Sequence, residues 1–492
     1  MSRKDIVVNV SKTETRIAVL DEGQLVEFYL ERLEQTSLIG RVYKAKVLNV
    51  ISGLKAAFVN IGIEKNGFLP LNEIPFEDFS ELFESEFEPT EASQPAELKL
   101  KENQEIIVQV TKDAYGVKGP RVTSYVSIPG RYLVLLINAK NIGISRKIRH
   151  RRERENLFRM ARQFKPEGMG FIIRTAAARA KLEEFRREVS VLKQEWERNL
   201  ESAQKLPAPV LVYEEPDVLI KAVRDIFNYE IRNLIVDSES EYRKILSYLG
   251  RVSPRMRSRV KFYNEPHPIF QRYNVEEQLK NLMSRKVWLP SGGYIVIDQT
   301  EALVAIDVNT GKSSKEKQAE RLALATNLEA LKEIARQLRL RDIGGLVVVD
   351  LIDLERRENI DRMVREFKSL IRDDRARYRI GGISEFGLLE FTRERSRTSV
   401  THALSEPCVV CKGRGRTVSK QSALGFIERW FMTHGKNHEG KMLELQVSPR
   451  FADFISLDHA DTLARITKQY NLILRIKGDY SITDGDFRMV VI

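Results

Sequence analysis

The sequence predicts a multidomain protein of mixed α/β class, with β-rich modules near the N-terminus and an α/β unit in the second half. Three observations predict it. The chain has 492 residues, 42% of them hydrophobic and 30% charged, which suits several cores rather than one. Up to about residue 124 the apolar residues alternate in short runs separated by glycines and turn pairs. Between 286 and 404 β-branched runs alternate with long stretches of helical period.

Residues 1 to 35 (IVVNVSKTETRIAVLDEGQLVEFYLER) read as a β-meander with turns at Ser11-Lys12 and Glu22-Gly23. A second all-β stretch, IGRVYKAKVLNVISGLKAAFVNIGIEKNGFLPLNEI (39 to 74), continues after an acidic segment with EIIVQVTKDAYGVKGPRVT (105 to 123). Short strands bearing aromatics and lysines predict a small barrel of the oligonucleotide-binding kind, in which rings stack on bases and lysines follow phosphates. On period alone, Phe58 and Phe68 fit the barrel core as well as a stacking surface. From Asn66 to Leu98 there is no lysine or arginine, and acids accumulate.

A third β-rich piece, GRYLVLLINAKNIGISR, precedes a helix near 150 to 164, the strand GMGFII and a long charged helix over 179 to 203. Residues 210 to 285 alternate strand and helix. In the 286 to 404 block, YIVIDQT and ALVAIDVN predict a hairpin. A helix of about 317 to 342 follows, with Leu324, Leu328, Leu331, Ile334 and Leu338 on one stripe. Gly344-Gly345 stops it, LVVVDLI returns as a strand, and a helix over 356 to 372 completes the crossover.

Period two in ALVAIDVNTG puts Asp307 and Asn309 on one face and Val304, Ile306 and Val308 on the other, and GGLVVVDLIDL (344 to 354) ends in Asp350 and Asp353. A buried unpaired carboxylate is costly, and two at the ends of neighbouring strands also repel, so a positive group is expected between them. Ligands of open α/β sheets bind at the C-terminal ends of strands. Two hard carboxylate oxygens with open positions suit Mg²⁺, which keeps waters and takes phosphate oxygens as ligands. Asp353 faces the other way by strand period and ranks below Asp350. Taken one at a time, each acid also fits a buried, hydrogen-bonded aspartate.

A net charge of +12 favours a polyanionic partner. The densest basic run, 144 to 163, reads by itself as a solvated helix face. Two cysteines exclude a disulfide framework, and no apolar run is long enough to span a bilayer, which predicts a cytoplasmic protein. The cysteines form CVVCKGRG, so Cys408 and Cys411 suit one zinc as half of a tetrahedron. Completion requires histidines of this chain or a second chain; otherwise there is no site. His434 and His438 give a C-x2-C…H-x3-H pattern, but a helix intervenes and HGKNH reads as a loop, so this pairing is discounted.

SGGYIVIDQTEALVAIDVNTG, NLEALKEIARQLRLRDIGGLVVVDLIDL and FGLLEFTRERSR resemble the core of the ribonuclease E/G family, and the likeness covers nearly the whole chain. The total length, with no long disordered C-terminal tail, is similar to that of its ribonuclease G branch. The resemblance implies an RNase H-like domain (1–38 and 218–282), an inserted S1 RNA-binding barrel (39–124) and a 5′-sensor (125–217). It further implies a DNase I-like catalytic subdomain (283–404), a zinc-link (405–416) and a small C-terminal α/β domain (417–492).

By the same resemblance, Asp307 and Asp350 hold Mg²⁺ with Asn309 in support, and the cation acts as Lewis acid, template and source of a hydroxide nucleophile. Phe58, Phe68 and Lys118 grip single-stranded RNA, while Arg174 and Thr175, with Gly130, Val134 and Arg377, sense a 5′-monophosphate. Cys408 and Cys411 share zinc between the protomers of a homodimer; pairing of dimers into a tetramer is left open. The implied activity is endonucleolytic cleavage of AU-rich RNA, leaving 5′-phosphate and 3′-hydroxyl ends, in ribosomal RNA 5′-end maturation and mRNA turnover. The competing readings are a non-catalytic RNA-binding protein of this fold and a metal-dependent DNA nuclease.

Overall fold

The computed structural model of the chain describes residues 4–32, 37–73, 100–114, 118–139, 141–145, 147–148, 150–311, 319–372, 374–394, 399–411, 413 and 415–492. The acidic segment at 76 to 97 lies outside the described residues. The chain divides into two compact units, Met1–Ala403 and Leu404–Ile492.

Alternating residues at the N-terminus form the antiparallel strands Lys4–Val10, Glu14–Asp21 and Gln24–Arg32. Asp21 and Gln24 are register partners, and the two residues between them, Glu22 and Gly23, both take positive φ (51° and 84°), as a tight hairpin turn requires. On its other side Lys4–Val10 pairs in parallel with Ile231–Val236, which pairs in parallel with Val260–Phe262. Segments remote in sequence therefore build one five-stranded sheet. Its core joins Ile6, Val8, Ile17 and Val19 to Val223, Ile245 and Leu249 of helices Val218–Asp225 and Glu239–Val252.

Strand Val42–Ile51 pairs with both Ala56–Asn60 and Glu105–Lys112, and Gly67–Pro70 and Arg121–Thr123 close the circuit into a five-stranded barrel. Its interior holds Ala45, Val47, Ala57, Val59, Leu69, Val108 and Val122, small and branched side chains that suit a narrow barrel. A separate four-stranded sheet, in the order Ile142–Ile144, Gly170–Ile173, Leu133–Leu136 and Ser127–Pro129, packs Phe171 against Phe185 and Trp196 of helix Leu182–Gln204. That helix starts later than the sequence predicts. Residues Thr175–Arg179 form a 3-10 turn instead, and Glu184 reaches back to accept the Lys181 N–H at 3.1 Å, which caps the helix there.

The third large sheet runs Lys286–Trp288, Tyr294–Gln299, Leu303–Asn309, Gly345–Asp350, Leu388–Arg393 and Tyr378–Ile383. Leu303–Asn309 and Gly345–Asp350 are parallel because helix Ala319–Leu340 carries the chain back between them. One face is covered by that helix and Arg357–Leu370: Val304, Ile306, Val347 and Val349 pack with Leu331, Ile334, Leu338 and Phe367. Each such burial contributes about 1.5–3 kcal/mol. The other face, with Ala305, Asp307, Leu346 and Asp350, is open.

Two details of the helix differ from expectation. In its first half the buried face carries Ala323, Asn327 and Ala330, while Leu324 and Leu328 are only half-buried. The helix ends at Leu340, before the glycine pair, and the left-handed residue is Asp342 (φ 49°), held by a 2.8 Å bond from the buried Arg393. Gly345, at φ 103°, opens the next strand.

In the second unit, strands Ile473–Gly478, Met442–Val447 and Phe487–Val491 form one sheet. Helices Lys420–His434, Pro449–Asp458 and Ala460–Gln469 cover it around Ile427, Phe431, Leu445 and Phe451. No described helix is long and apolar enough to cross a membrane.

Candidate active site

Asp307 and Asp350 are direct register partners on the two parallel strands. They therefore project from the same face at adjacent-strand spacing, about 4.8 Å between backbones. Both are exposed, so the burial cost foreseen from the apolar run is not incurred; Val304, Ile306 and Val308 alone turn inward. The repulsion remains, because among the described residues neither acid forms an ion pair. Asn309 donates from Nδ2 to Asp307 Oδ2 at 2.7 Å, fixing the direction in which that carboxylate offers its other oxygen. Asp353 lies beyond the strand, beside the Gly387 turn, and is not grouped with the pair.

Several residues that period analysis overlooked position this pair. A Cβ on Gly293 would sit 2.7 Å from the Asn309 carbonyl, so the SGGY turn needs a glycine where it passes the end of the Asp307 strand. Asn327 is wholly buried. It donates to the Ile352 carbonyl at 2.8 Å and accepts the Ile352 N–H at 3.0 Å, pinning the chain just after Asp350. Glu320 accepts from the Glu355 and Arg356 amides (3.0 and 3.3 Å) and from Asn359 Nδ2 (2.7 Å), which holds its carboxyl below the ordinary value. The legible signal was an asparagine within an apolar helical stripe.

No cluster of three or more metal-ligating side chains occurs among the described residues. The acid pair alone still fits a hard divalent cation, since Mg²⁺ commonly takes one or two carboxylates and completes its shell with water and phosphate oxygens.

On the barrel, Phe58 and Phe68 are register partners whose rings meet edge to face at 5.8 Å. They are half-exposed while Ala57, Val59 and Leu69 fill the interior, so both rings lie on the outer surface. Lys118 is exposed two residues before Pro120, whose carbonyl accepts the Phe68 N–H at 2.8 Å. Gly119 allows this approach, because a Cβ there would collide with the Asn66 carbonyl. The structure thus brings Phe58, Phe68 and the Lys118 segment together.

Arg174 leaves the end of strand Gly170–Ile173 and donates from Nη1 to the Gly130 carbonyl at 2.7 Å and to Asp225 Oδ1 at 2.6 Å. Burial alone would push Asp225 up, but bonds and charge from Arg224 and Arg174 hold it below its ordinary value. Thr175, exposed, opens the following 3-10 turn, and Val134 lies half-exposed on the neighbouring strand. Arg377 is 77% exposed and reaches Glu394 at 3.8 Å. Its loop is tied to this region by Lys147 Nζ, which donates to the Asp374 and Arg375 carbonyls at 2.9 Å each. Under Gly130 lies Glu188, wholly enclosed, accepting the backbone N–H groups of Arg131, Tyr132 and Leu133 at 2.5, 2.7 and 3.2 Å.

Cys408 is exposed and Cys411 half-exposed. The Cys411 and Val410 amides, with the Cys411 thiol, hold Cys408 below the ordinary thiol value, which favours a thiolate ligand. Both histidines lie elsewhere in their own cluster: His434 and His438 stack on Trp430 at 5.0 and 5.7 Å. HGKNH is not a loop: His434 ends helix Lys420–His434 and Gly435–His438 form a 3-10 turn.

Comparison with known proteins matches residues 127–396 to the Ribonuclease E/G family. Ribonuclease G of Salmonella typhimurium is 33% identical over 462 residues, covering 94% of each chain. Ribonuclease G of Escherichia coli is 32% identical with the same coverage. Ribonuclease E of Haemophilus influenzae is 36% identical over 471 residues, 95% of this chain and 50% of that one. An acid pair at the end of a parallel strand pair, in a chain that also carries a barrel with outward aromatics, accords with an enzyme that acts on RNA, and the chain belongs to the ribonuclease E/G family of endoribonucleases.

Proposed function

We propose that the enzyme is Mg²⁺-dependent, cleaves single-stranded AU-rich RNA with preference for 5′-monophosphorylated ends, and leaves 5′-phosphate and 3′-hydroxyl products. Its place is in ribosomal RNA 5′-end maturation and mRNA decay. The observation that carries this reading is the register pairing of Asp307 with Asp350 on an open sheet face, with Asn309 bound to Asp307 at 2.7 Å.

A bound Mg²⁺ would relieve the repulsion of the two carboxylates and act as a Lewis acid on a phosphodiester. The chain supplies the rest. Asp307 and Asp350 bind, and the strand register sets their spacing. Asn309 keeps Asp307 from rotating away, and Asn327 keeps the end of the Asp350 strand in place. Phe58 and Phe68 offer ring surface to unpaired bases, and Lys118 offers charge to the backbone; a duplex has no free base face for such rings. Arg174, anchored by Asp225, and the Thr175 hydroxyl suit the oxygens of a terminal phosphate, with Gly130, Val134 and Arg377 around them. Cys408 and Cys411 supply two of the four ligands of zinc, and a second copy of the chain supplies the others, which makes the motif a dimer staple.

The test is cleavage and binding measured separately. Asp307→Asn and Asp350→Asn should each lower Mg²⁺-dependent cleavage by about a hundredfold or more while RNA affinity without Mg²⁺ is retained. Variants that cleave at the wild-type rate would refute the metal site. Replacing both cysteines by serine should release zinc and yield monomers; a dimer that persists with zinc bound would refute the staple.

A further inference from the structure

The open face of the six-stranded sheet carries more than the acids. Its edge strand Lys286–Trp288 sets Lys286 opposite Val296 and Trp288 opposite Tyr294. Tyr294 and Val296 are in turn the partners of Asn309 and Asp307. Register partners share a face, so Lys286, Trp288 and Tyr294 stand on the same side of the sheet as Asp307, Asn309 and Asp350.

Trp288 is 64% exposed. The Tyr294 ring meets it edge to face at 5.4 Å. Lys286 Nζ lies 3.9 Å from the centre of the indole and 3.6 Å from that of the phenol. A lysine on an edge strand has an ordinary purpose, since charge there deters pairing with another sheet. An exposed indole beside it works against that purpose, and it buries too little to serve the core. Two strand spacings across and two residues along put the Trp288 backbone roughly 12 Å from that of Asp307. Nearby nucleotides of one strand can occupy both places.

We propose that Trp288, flanked by Tyr294 and Lys286, is a stacking subsite for a nucleobase of the RNA strand that lies across Asp307 and Asp350. The base rests on the indole and the Lys286 ammonium faces an adjoining phosphate. This rests on the reading of the acid pair as the cleavage centre. Because every base has a stacking face, the subsite requires an unpaired nucleotide near the cut without choosing its identity. It thereby adds to the barrel aromatics a second check for single-stranded RNA, on the catalytic sheet itself.

The experiment uses the full chain with Asp307→Asn to prevent cleavage, titrated with a short single-stranded RNA. Trp288→Ala should bind about five- to a hundredfold more weakly, the range for loss of one base–ring stack, and Trp288→Phe should restore most of the affinity. RNA should also quench indole emission, and that quenching should fall in Trp288→Phe. An abasic nucleotide at the stacked position should weaken binding to the parent and leave Trp288→Ala unchanged. Equal affinity, an unaltered abasic profile and unaltered quenching would overturn the subsite. So would an effect of Trp288→Ala on oligomer mass alone, which would make the ring a protein contact. The two readings separate cleanly: Trp288-dependent binding without any cleavage by the wild type removes the catalytic reading and keeps the subsite, and Mg²⁺-dependent cleavage indifferent to Trp288 does the reverse.

Discussion

Asn327 and Ile352 are joined by two hydrogen bonds, the asparagine donating to the carbonyl at 2.8 Å and accepting the N–H at 3.0 Å. A helix side chain thus stands in for a strand partner just where the Asp350 strand ends. Asn327→Leu removes both bonds and leaves the half-buried Ile352 N–H and carbonyl without this partner, so stability to urea should fall by about 1–3 kcal/mol. Single-turnover cleavage should fall as well, although both aspartates are intact. Asn327→Asp, which keeps the acceptor only, should lie between.

Arg393 is buried between Asp342 and Asp374, at 2.8 and 3.0 Å. Removing a buried charge partner leaves uncompensated ions, so Arg393→Met should cost about 3–5 kcal/mol in denaturant titration. Burial by itself raises Asp374, but the bonds and charge of Arg393 and the Tyr378 hydroxyl bring it below its ordinary value. A depressed acid stabilises above its unfolded value and ceases to do so as pH falls through the folded one. The wild type should therefore lose this contribution only below the usual carboxylate range, and the variant should lack it throughout.

Glu188 has the opposite sign. Burial pushes it up to about 7, against the pull of three backbone amides and the Arg131 charge. An acid raised on folding contributes most below its unfolded value, and the contribution is lost as pH rises through the folded one. The unfolding free energy from urea titration should thus decline between about pH 4.5 and 7, by on the order of 3 kcal/mol in total. Glu188→Gln should abolish that component of the slope; an unchanged slope would assign it to other groups.

The Arg174 guanidinium already serves Gly130 and Asp225 before any phosphate arrives. Arg174→Gln should reduce the advantage of 5′-monophosphorylated over 5′-hydroxyl substrate by roughly tenfold or more, the worth of one charge-assisted hydrogen bond. Cleavage of the 5′-hydroxyl RNA should change little. A variant with full preference for the monophosphate would dismiss the residue from that role.

The acid pair was legible because strand period is two and each apolar run leads to an aspartate, Asp307 in one strand and Asp350 in the other. Helix period was less reliable: the stripe through Leu324 and Leu328 is displaced toward Ala323 and Asn327 in the first half of the helix. The face a helix buries there depends on what the loop after Asp350 needs, and Asn327 meets that need. For Phe58 and Phe68, period admitted core and surface equally; barrel closure decides it, because Ala57 and Val59 turn inward beside them. The pairing of Arg393 with Asp342 and Asp374, and of Arg174 with Asp225, joins residues whose separation follows no local period. Such contacts arise from the packing of whole elements.

The most direct measurement compares wild type with Asp307→Asn on a short AU-rich single-stranded RNA, bearing either a 5′-monophosphate or a 5′-hydroxyl, with and without Mg²⁺. Cleavage by the wild type should require Mg²⁺ and favour the monophosphate, and none should be detectable in the variant. Equal cleavage by Asp307→Asn, or cleavage indifferent to Mg²⁺, would contradict the metal site at Asp307 and Asp350.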